Sequence, residues 1–270
     1  MIKEISVLFI GDVVGEPALE FVCQKLPEMI EAKKANVVVV NGENIWQGKG
    51  LNEDHADKLF AAGAHVITTG NHVWENWKSR PLLAKNNKVL RPFNYPVGNP
   101  GRGYYIYEME DGVKVAILQI QGRTFMADID CPFRGADHAL KTISSQTNNI
   151  IVDFHAEATA EKQSIGWHLD GQVSAIIGTH THVPTADSQI LPGGTAYVSD
   201  VGMCGPHSGV IGMRKDIALK RYTLGTAHKY ELAEGDMRIN SVHIVIDSET
   251  GQAMSISRQT TPDYEKRLGD

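Results

Sequence analysis

A series of short apolar runs, each followed at once by polar residues, constrains the fold of this chain most. The runs are rich in β-branched residues and four to eight residues long: Ile5–Ile10, Val37–Val40, His65–Thr69, Val113–Ile120, Ile150–Phe154 and Val173–Ile177. Nearly continuous apolar runs of this length are typical of strands that are buried on both faces of a sheet. The sequence therefore predicts a strand-rich, buried core.

Helical patterns separate the early runs. Apolar residues recur at roughly helical spacing over Pro17–Ala35. A second helix is predicted over Asn52–Ala62, with Asn52 as its N-cap and Gly63 at its C-terminal end. Because strand and helix alternate over the first ~90 residues, we expect a parallel α/β sheet in this part of the chain.

The later part of the chain predicts antiparallel pairing. Three hairpins are expected: Tyr104–Met109 with Val113–Ile120, Gln189–Leu191 with Ala196–Ser199, and Val242–Ile246 with Met254–Ser257. The expected fold class is therefore α/β, with mixed sheets and helices outside them, and residues 1–270 are expected to form a single domain. Within it, the Gly-rich and charged stretch at about 204–236 carries a predicted helix over Asp216–Thr223, and we expect it to form a small cap insertion.

Charge and cysteine content exclude several classes of protein. Lys and Arg total 26 against 32 Asp and Glu, a net charge of −6, whereas a groove for long nucleic acid needs a basic surface. The three cysteines are far apart and form no CxxC pair, which indicates a reducing compartment. No apolar run approaches the ~18 residues of a membrane span. We therefore expect a cytoplasmic protein that binds neither membranes nor long nucleic acids.

Polar side chains follow five of the predicted strands directly. They are Asp12, Glu43, Asn44, Asn71, His155, His180 and His182. Ligands bind at the carboxyl edge of α/β sheets, so neighbouring parallel strands would bring these side chains to one place. His180 and His182 would point the same way if the GTHTH segment is extended. Each residue taken alone could also be a turn residue, a helix cap or a buried residue whose hydrogen bonds are made within the core. Their repetition at one edge of the sheet favours a functional site.

These seven side chains form a donor set for metal ions. They supply oxygen and nitrogen without sulfur, and seven donors exceed what one tetrahedral ion uses. The set suits two ions about 3.5–4 Å apart with a bridging carboxylate. Mixed oxygen and nitrogen donors favour Fe, Mn or Zn. Because two such ions can hold a hydroxide and a phosphoryl group, the residues predict two-metal hydrolysis of a phosphoric ester.

The motifs also resemble a known family. GDVVGEP, NGEN, GNHVW, RPFNYP, FHAE, GTHTHVPTAD and SDVGMCGP occur in this order over nearly the whole chain. The pattern resembles the calcineurin-like metallophosphoesterase superfamily and, within it, the bacterial YmdB-like family of 2′,3′-cyclic-nucleotide phosphodiesterases. This resemblance implies a four-layer α-β-β-α metallophosphoesterase sandwich with a dinuclear centre.

The resemblance further implies a role for each candidate residue. It assigns Asp12, Glu43, Asn44 and His182 to one metal ion, and Glu43, Asn71, His155 and His180 to the other, with Glu43 bridging. His72 resembles the family's general acid, or the group that orients the phosphate. In the wider superfamily Asp-x-His is usual where this chain has Asp12-Val13-Val14, and Asp is the usual bridge. The YmdB-like branch shares both departures, which leave the identity of the metal open.

The function expected from residues and resemblance together is a dinuclear phosphodiesterase. Two divalent or transition metal ions per chain would bind the phosphate, and a hydroxide bridging them would attack phosphorus. The resemblance implies small phosphodiesters, especially 2′,3′-cyclic nucleotides, as substrates, phosphate as product or inhibitor, and a homo-oligomer. A phosphomonoesterase or nucleotidase could use the same centre. A non-catalytic regulatory protein that binds a phosphorylated ligand would be expected to have lost some ligands, and all seven are intact.

A few further residues have two interpretations. Trp74 and Trp77 are expected to be a packing pair rather than a base-stacking platform. Asp200 could support the metal ligands or form part of a turn, and Arg91 and Arg123 could contact substrate or solvent.

Overall fold

Two β-sheets form the centre of the molecule, for which a computed structural model describes residues 4–262. The ends of the predicted 1–270 domain lie outside the described residues. The first sheet has the order β2-β11-β12-β1-β3-β4, with β13 pairing with β12. Its strands are β1 (Glu4–Ile10), β2 (Asp12–Val13), β3 (Val37–Asn41), β4 (Val66–Thr68), β11 (Met203–Pro206), β12 (Met237–Asp247) and β13 (Ala253–Thr261).

The second sheet has the order β5-β6-β7-β8-β10-β9. Its strands are β5 (Tyr104–Glu108), β6 (Lys114–Gln121), β7 (Ile150–His155), β8 (Ala175–Thr179), β9 (Gln189–Ile190) and β10 (Ala196–Val198). The helices are α1 (Glu16–Lys33), α2 (Glu53–Ala61), α3 (Ser79–Lys85), α4 (Pro132–Ile143), α5 (Thr159–Leu169) and α6 (Lys215–Leu224), with a 3₁₀ turn over Asn71–Trp74.

Three apolar clusters establish the order of the layers. Successive β1 residues alternate between clusters, because side chains on a strand point to opposite faces: Leu8 packs with helices α1, α2 and α3, whereas Phe9 packs between the two sheets. On β7, Ile151 lies between the sheets, and Val152 packs with α4 and α5. The four-layer α-β-β-α arrangement expected from the sequence is therefore confirmed.

The predicted local features hold in most places. Strands β1, β3 and β4 are parallel, as are β6, β7 and β8, and the three predicted hairpins are antiparallel pairs. The Asn52 side chain caps α2 by accepting from the backbone N–H of His55 at 2.9 Å. The strand predicted at Val173–Ile177 instead spans Ala175–Thr179, so it reaches the site edge two residues further on. None of the helices in residues 4–262 is both long and apolar enough to cross a membrane.

The register brings the ends of the strands to one edge. Gln121, His155 and Thr179 lie side by side on β6, β7 and β8. Asp12 follows β1 after one residue, as the sequence indicates, and it begins the short strand β2, which pairs with β11. This pairing fixes the backbone of Asp12 rather than leaving it in a turn.

Candidate metal centre

All seven predicted ligands meet at the carboxyl edge of the two sheets. Asp12, Glu43, Asn71 and His180 each lie within 4 Å of the side chain of His155. Asn44 and His182 line a cavity of about 350 Å³ together with Glu43, His72 and His180. The predicted convergence is therefore observed.

His155 lies at the centre of the densest group of donors. Its Nε2 atom is 2.9 Å from Glu43 Oε1, 3.0 Å from His180 Nδ1 and 3.1 Å from Asn71 Oδ1. Donors around an octahedral ion with bonds of about 2.1 Å lie about 3 Å apart. Ligand atoms of Glu43, His155 and His180 all lie within 4.8 Å of one another. These spacings fit a transition-metal site.

Each candidate histidine has one ring nitrogen held by a neighbour outside the ligand set. His155 Nδ1 lies 2.9 Å from the Thr179 hydroxyl, which itself donates to Asp153. His180 Nε2 lies 3.0 Å from Glu157 Oε2, and His182 Nδ1 lies 3.0 Å from the carbonyl oxygen of Ile211. Such acceptors fix the tautomer of a ligating imidazole and leave the other nitrogen with a free lone pair. These contacts leave Nε2 of His155, Nδ1 of His180 and Nε2 of His182 as the nitrogens that could bind a metal ion.

Three oxygens of the predicted first metal site are buried without a hydrogen-bond partner among residues 4–262. They are Asp12 Oδ1, Asn44 Oδ1 and Glu43 Oε1, the last of which faces Nε2 of His155 at 2.9 Å. The Asn44 amide donates to the carbonyl of Gly48 at 3.0 Å, which fixes the amide group. Burial raises the pKa of the Asp12 carboxyl well above its usual range. Buried oxygens of this kind are costly unless a cation compensates them, so the donor set fits a bound metal ion.

Charge in the centre is concentrated on one buried pair. Burial opposes the charge on Glu43, but the combined effect of His155, His72 and His180 outweighs burial and lowers the pKa of Glu43 to about 2. Burial likewise opposes the charge on His155, yet the nearby carboxylates of Glu43, Asp12 and Asp153 raise the pKa of His155 to about 9. Burial and the charge of His155 lower the pKa of His180 to about 3. At neutral pH Glu43 is thus an anion, His155 is a cation and His180 is neutral, so a metal ion bound through Nε2 of His155 would displace the proton from that nitrogen.

The expectation that His180 and His182 lie on an extended segment is wrong. Strand β8 ends at Thr179, and the two histidines have positive φ values of 95° and 67°. This left-handed conformation is strained for residues other than glycine and recurs at functional sites. It turns His180 towards His155, while His182 reaches the carbonyl of Ile211.

Asp200 holds this strained turn in place. Its Oδ2 accepts from the backbone N–H of Thr181 at 3.0 Å and from the Thr181 hydroxyl at 2.6 Å. The same oxygen lies 2.7 Å from Nζ of the buried Lys162, and Oδ1 accepts from the N–H of Gly202 at 2.8 Å. The sequence left two interpretations of Asp200 open, and the structure agrees with the first: Asp200 supports the segment that carries His180 and His182.

Apart from Asp200, sequence reasoning missed residues that support the site. Asp153 on β7 accepts from the Asn41 amide on β3 at 3.0 Å, which links the two sheets beneath the site. Glu75 Oε1 lies 2.6 Å from His72 Nδ1. Asp153 and Asn41 could have been noticed as polar residues within apolar strands. Glu75 follows His72 by three residues, a spacing that brings side chains together on one helical turn.

Gly70 allows the closest approach in the centre. A Cβ atom at this position would lie 2.3 Å from His155 Nε2 and 2.4 Å from Glu43 Oε2. Its φ of −158° is extended, so the glycine is needed for space rather than for a tight turn.

Comparison with known families agrees with this geometry. The profile of a family described as YmdB-like protein matches residues 8–259. The chain belongs to the YmdB-like family. The resemblance expected from the motifs is therefore confirmed, and it covers nearly all of the described residues.

Related proteins and solved structures are similar to this chain over almost its full length. A 2′,3′-cyclic-nucleotide 2′-phosphodiesterase of Bacillus subtilis is 42% identical over 93% of this chain and 95% of its own length. The crystal structure of a phosphatase from Mycoplasma pneumoniae has a TM-score of 0.89 at 31% identity, covering 100% of this chain and 98% of that one. A Thermus thermophilus protein structure has a TM-score of 0.88 at 39% identity, covering 95% and 98%.

Proposed function

We propose that this protein is a metal-dependent phosphodiesterase that hydrolyses 2′,3′-cyclic nucleotides with two bound transition metals. The observation that carries the proposal is the set of three histidines, each with one ring nitrogen held by a neighbour outside the donor set, beside the buried carboxylates of Asp12 and Glu43. The relatives with named activities are a phosphodiesterase and a phosphatase, and the enzyme class, a phosphoric ester hydrolase, follows from them.

The proposed ligand sets follow the two groups of donors. Asp12, Glu43, Asn44 and His182 would hold one ion, and Glu43, Asn71, His155 and His180 the other. Fe, Mn or Zn bound here would supply positive charge for the phosphate oxygens and activate water. Glu43 lies in contact with His155, lines the cavity with Asn44 and His182, and is the candidate bridge.

His72 is placed to handle a proton at the mouth of the cavity. Its backbone N–H donates to Glu43 Oε2 at 3.2 Å, and its Nδ1 lies 2.6 Å from Glu75 Oε1. Since Nδ1 is engaged with Glu75, Nε2 is the atom left to donate a proton to the leaving alkoxide or to hold a phosphate oxygen. Glu75 therefore acts as a positioning residue for His72.

Replacing His72 with alanine is expected to lower kcat by about 10²–10⁴-fold while metal content stays unchanged, because a general acid contributes about that much. Steady-state kinetics and elemental analysis of the same preparation check this. His168→Ala is a matched control, since its ring is similarly exposed (35% against 28%) and also contacts a carboxylate, that of Asp137. Full turnover by His72→Ala would remove the proposed role.

The proposed function is tested by metal content and chelation. Freshly purified protein should contain close to two transition metal ions per chain, and hydrolysis of 2′,3′-cyclic AMP should be lost with chelator and restored by Mn or Fe. Parallel assays with bis-p-nitrophenyl phosphate and p-nitrophenyl phosphate separate a phosphodiesterase from a phosphomonoesterase. Protein without metal, rescue or turnover would refute the proposal.

A further inference from the structure

A second cavity adjoins the candidate metal centre. It has a volume of about 500 Å³ and shares Lys49 and Tyr230 with the metal cavity. Trp46 and Trp77 form its aromatic lining together with Tyr230. The cavities are therefore neighbours, and we refer to the second as the tryptophan cleft.

The loops that carry the metal ligands also build the tryptophan cleft. Trp46 follows Asn44 by two residues, and Trp77 follows His72 by five. Tyr230, from the predicted cap segment, packs closely on the loop that carries Asn44 and Trp46. The contact is so close that a Cβ atom added to Gly48 of this loop would lie 2.9 Å from the Tyr230 ring. The cleft and the metal ligands are therefore built on the same loops.

The two neighbouring tryptophans of the GNHVW motif region do not form the expected packing pair. The Trp74 ring lies 5.1 Å from that of Tyr95 and packs against the core. The side chain of Trp77 is 74% exposed. Exposure alone does not identify a ligand-binding tryptophan, since Trp167 on α5 is also 62% exposed. The distinguishing feature of Trp77 is its place on a cleft that adjoins the metal cavity.

The cleft favours a ligand that is both aromatic and anionic. The ammonium group of Lys78 lies 4.5 Å from the ring centroid of Trp46 and 5.8 Å from that of Trp77. The lining itself contains Lys229 and Lys49, of which Lys49 is paired with Glu75. The acidic residue of the lining, Glu75, is already engaged with Lys49 and His72. This local excess of positive charge stands out on a chain with a net charge of −6.

We propose that the tryptophan cleft is the nucleoside subsite of the enzyme, with the base stacked on the indole of Trp77. This inference rests on the proposed function, because the phosphate of the same ligand would lie at the metal centre. Stacking suits any base, since every base has a π-face. The cleft would therefore select nucleotides over phosphodiesters without a base and discriminate weakly among bases.

Direct binding tests the subsite without relying on turnover. Equilibrium dialysis of adenosine 3′-monophosphate against the full-length protein as purified is expected to give a dissociation constant roughly 10-fold higher for Trp77→Ala than for the wild type. Trp167→Ala is the matched control, because it removes an equally large exposed indole elsewhere, and it should bind as the wild type does. Equal affinities for the wild type and Trp77→Ala would overturn the inference.

Kinetics supply a second and separate measurement. The ratio of kcat/KM for 2′,3′-cyclic AMP to that for 1-O-methylribose 2′,3′-cyclic phosphate, which has no base, should fall roughly 10-fold in Trp77→Ala. An unchanged ratio in Trp77→Ala would mean that the indole serves another purpose, such as contact with a protein partner. If the wild type hydrolysed neither ester, the proposed function would fail, and the dialysis would still decide whether the cleft binds nucleotides.

Discussion

Glu43→Gln should abolish metal loading and lower kcat/KM by at least ~10³-fold, because a metal centre contributes several kcal/mol to transition-state stabilisation. Glutamine keeps the shape of the side chain but removes the anion that faces Nε2 of His155 at 2.9 Å. If Glu43 bridges two ions, both metal sites lose the negative charge of this carboxylate in the variant. Elemental analysis should show the loss directly, and kinetics should show its consequence.

Thermal unfolding provides an independent readout for the same variant. A ligand that binds the native state alone stabilises it, so chelator should lower the melting temperature of the wild type and leave Glu43→Gln unaffected. Glu28→Gln, an exposed change on α1, should behave as the wild type in all three measurements. A Glu43→Gln protein that retained two metal ions per chain would contradict the bridging assignment.

Asp200→Ala should reduce the free energy of unfolding by about 3–5 kcal/mol, because removing one partner of a buried ion pair leaves the other charge uncompensated. Lys162 is 2% exposed and its Nζ lies 2.7 Å from Asp200 Oδ2. The N–H and hydroxyl of Thr181 lose their acceptor at the same time. Denaturant unfolding measures the loss, and metal content should also fall because the turn that carries His180 and His182 is released.

A double variant separates the buried charge from the rest of the effect. Lys162→Met combined with Asp200→Ala should be more stable than Asp200→Ala alone, since the unpaired ammonium is gone. Asp137→Ala serves as the control, because the ion pair of Asp137 with His168 is exposed and should be worth less than about 1 kcal/mol. A double variant no more stable than the single one would show that Lys162 is not the source of the loss.

The sequence alone predicted a mixed α/β fold and placed the candidate donors at one sheet edge, whereas the four layers followed from the resemblance of the motifs. Apolar runs and the residues that follow them are local features, and parallel strands place their carboxyl ends at one edge. His155 and Glu43 could therefore be assigned to one site from their positions after β7 and β3. The cap at about 204–236 stays a prediction, although Ile211 and Tyr230 from this segment line the metal cavity. The number and identity of the metals, the oligomer and the cytoplasmic location also stay predictions.

Tertiary structure decided how the donors are oriented. The acceptors that fix His155 and His182 lie 24 and 29 residues away along the chain, on Thr179 and Ile211. Which atoms meet depends on strand register and on the strained turn held by Asp200, and neither has a local sequence signal. Trp77 was misjudged for the same reason, since helical spacing describes neighbours within a turn but not which ring faces solvent. Sequence thus specified which chemical groups reach the site, whereas the packing of two sheets specified which nitrogen and oxygen atoms are free to act there.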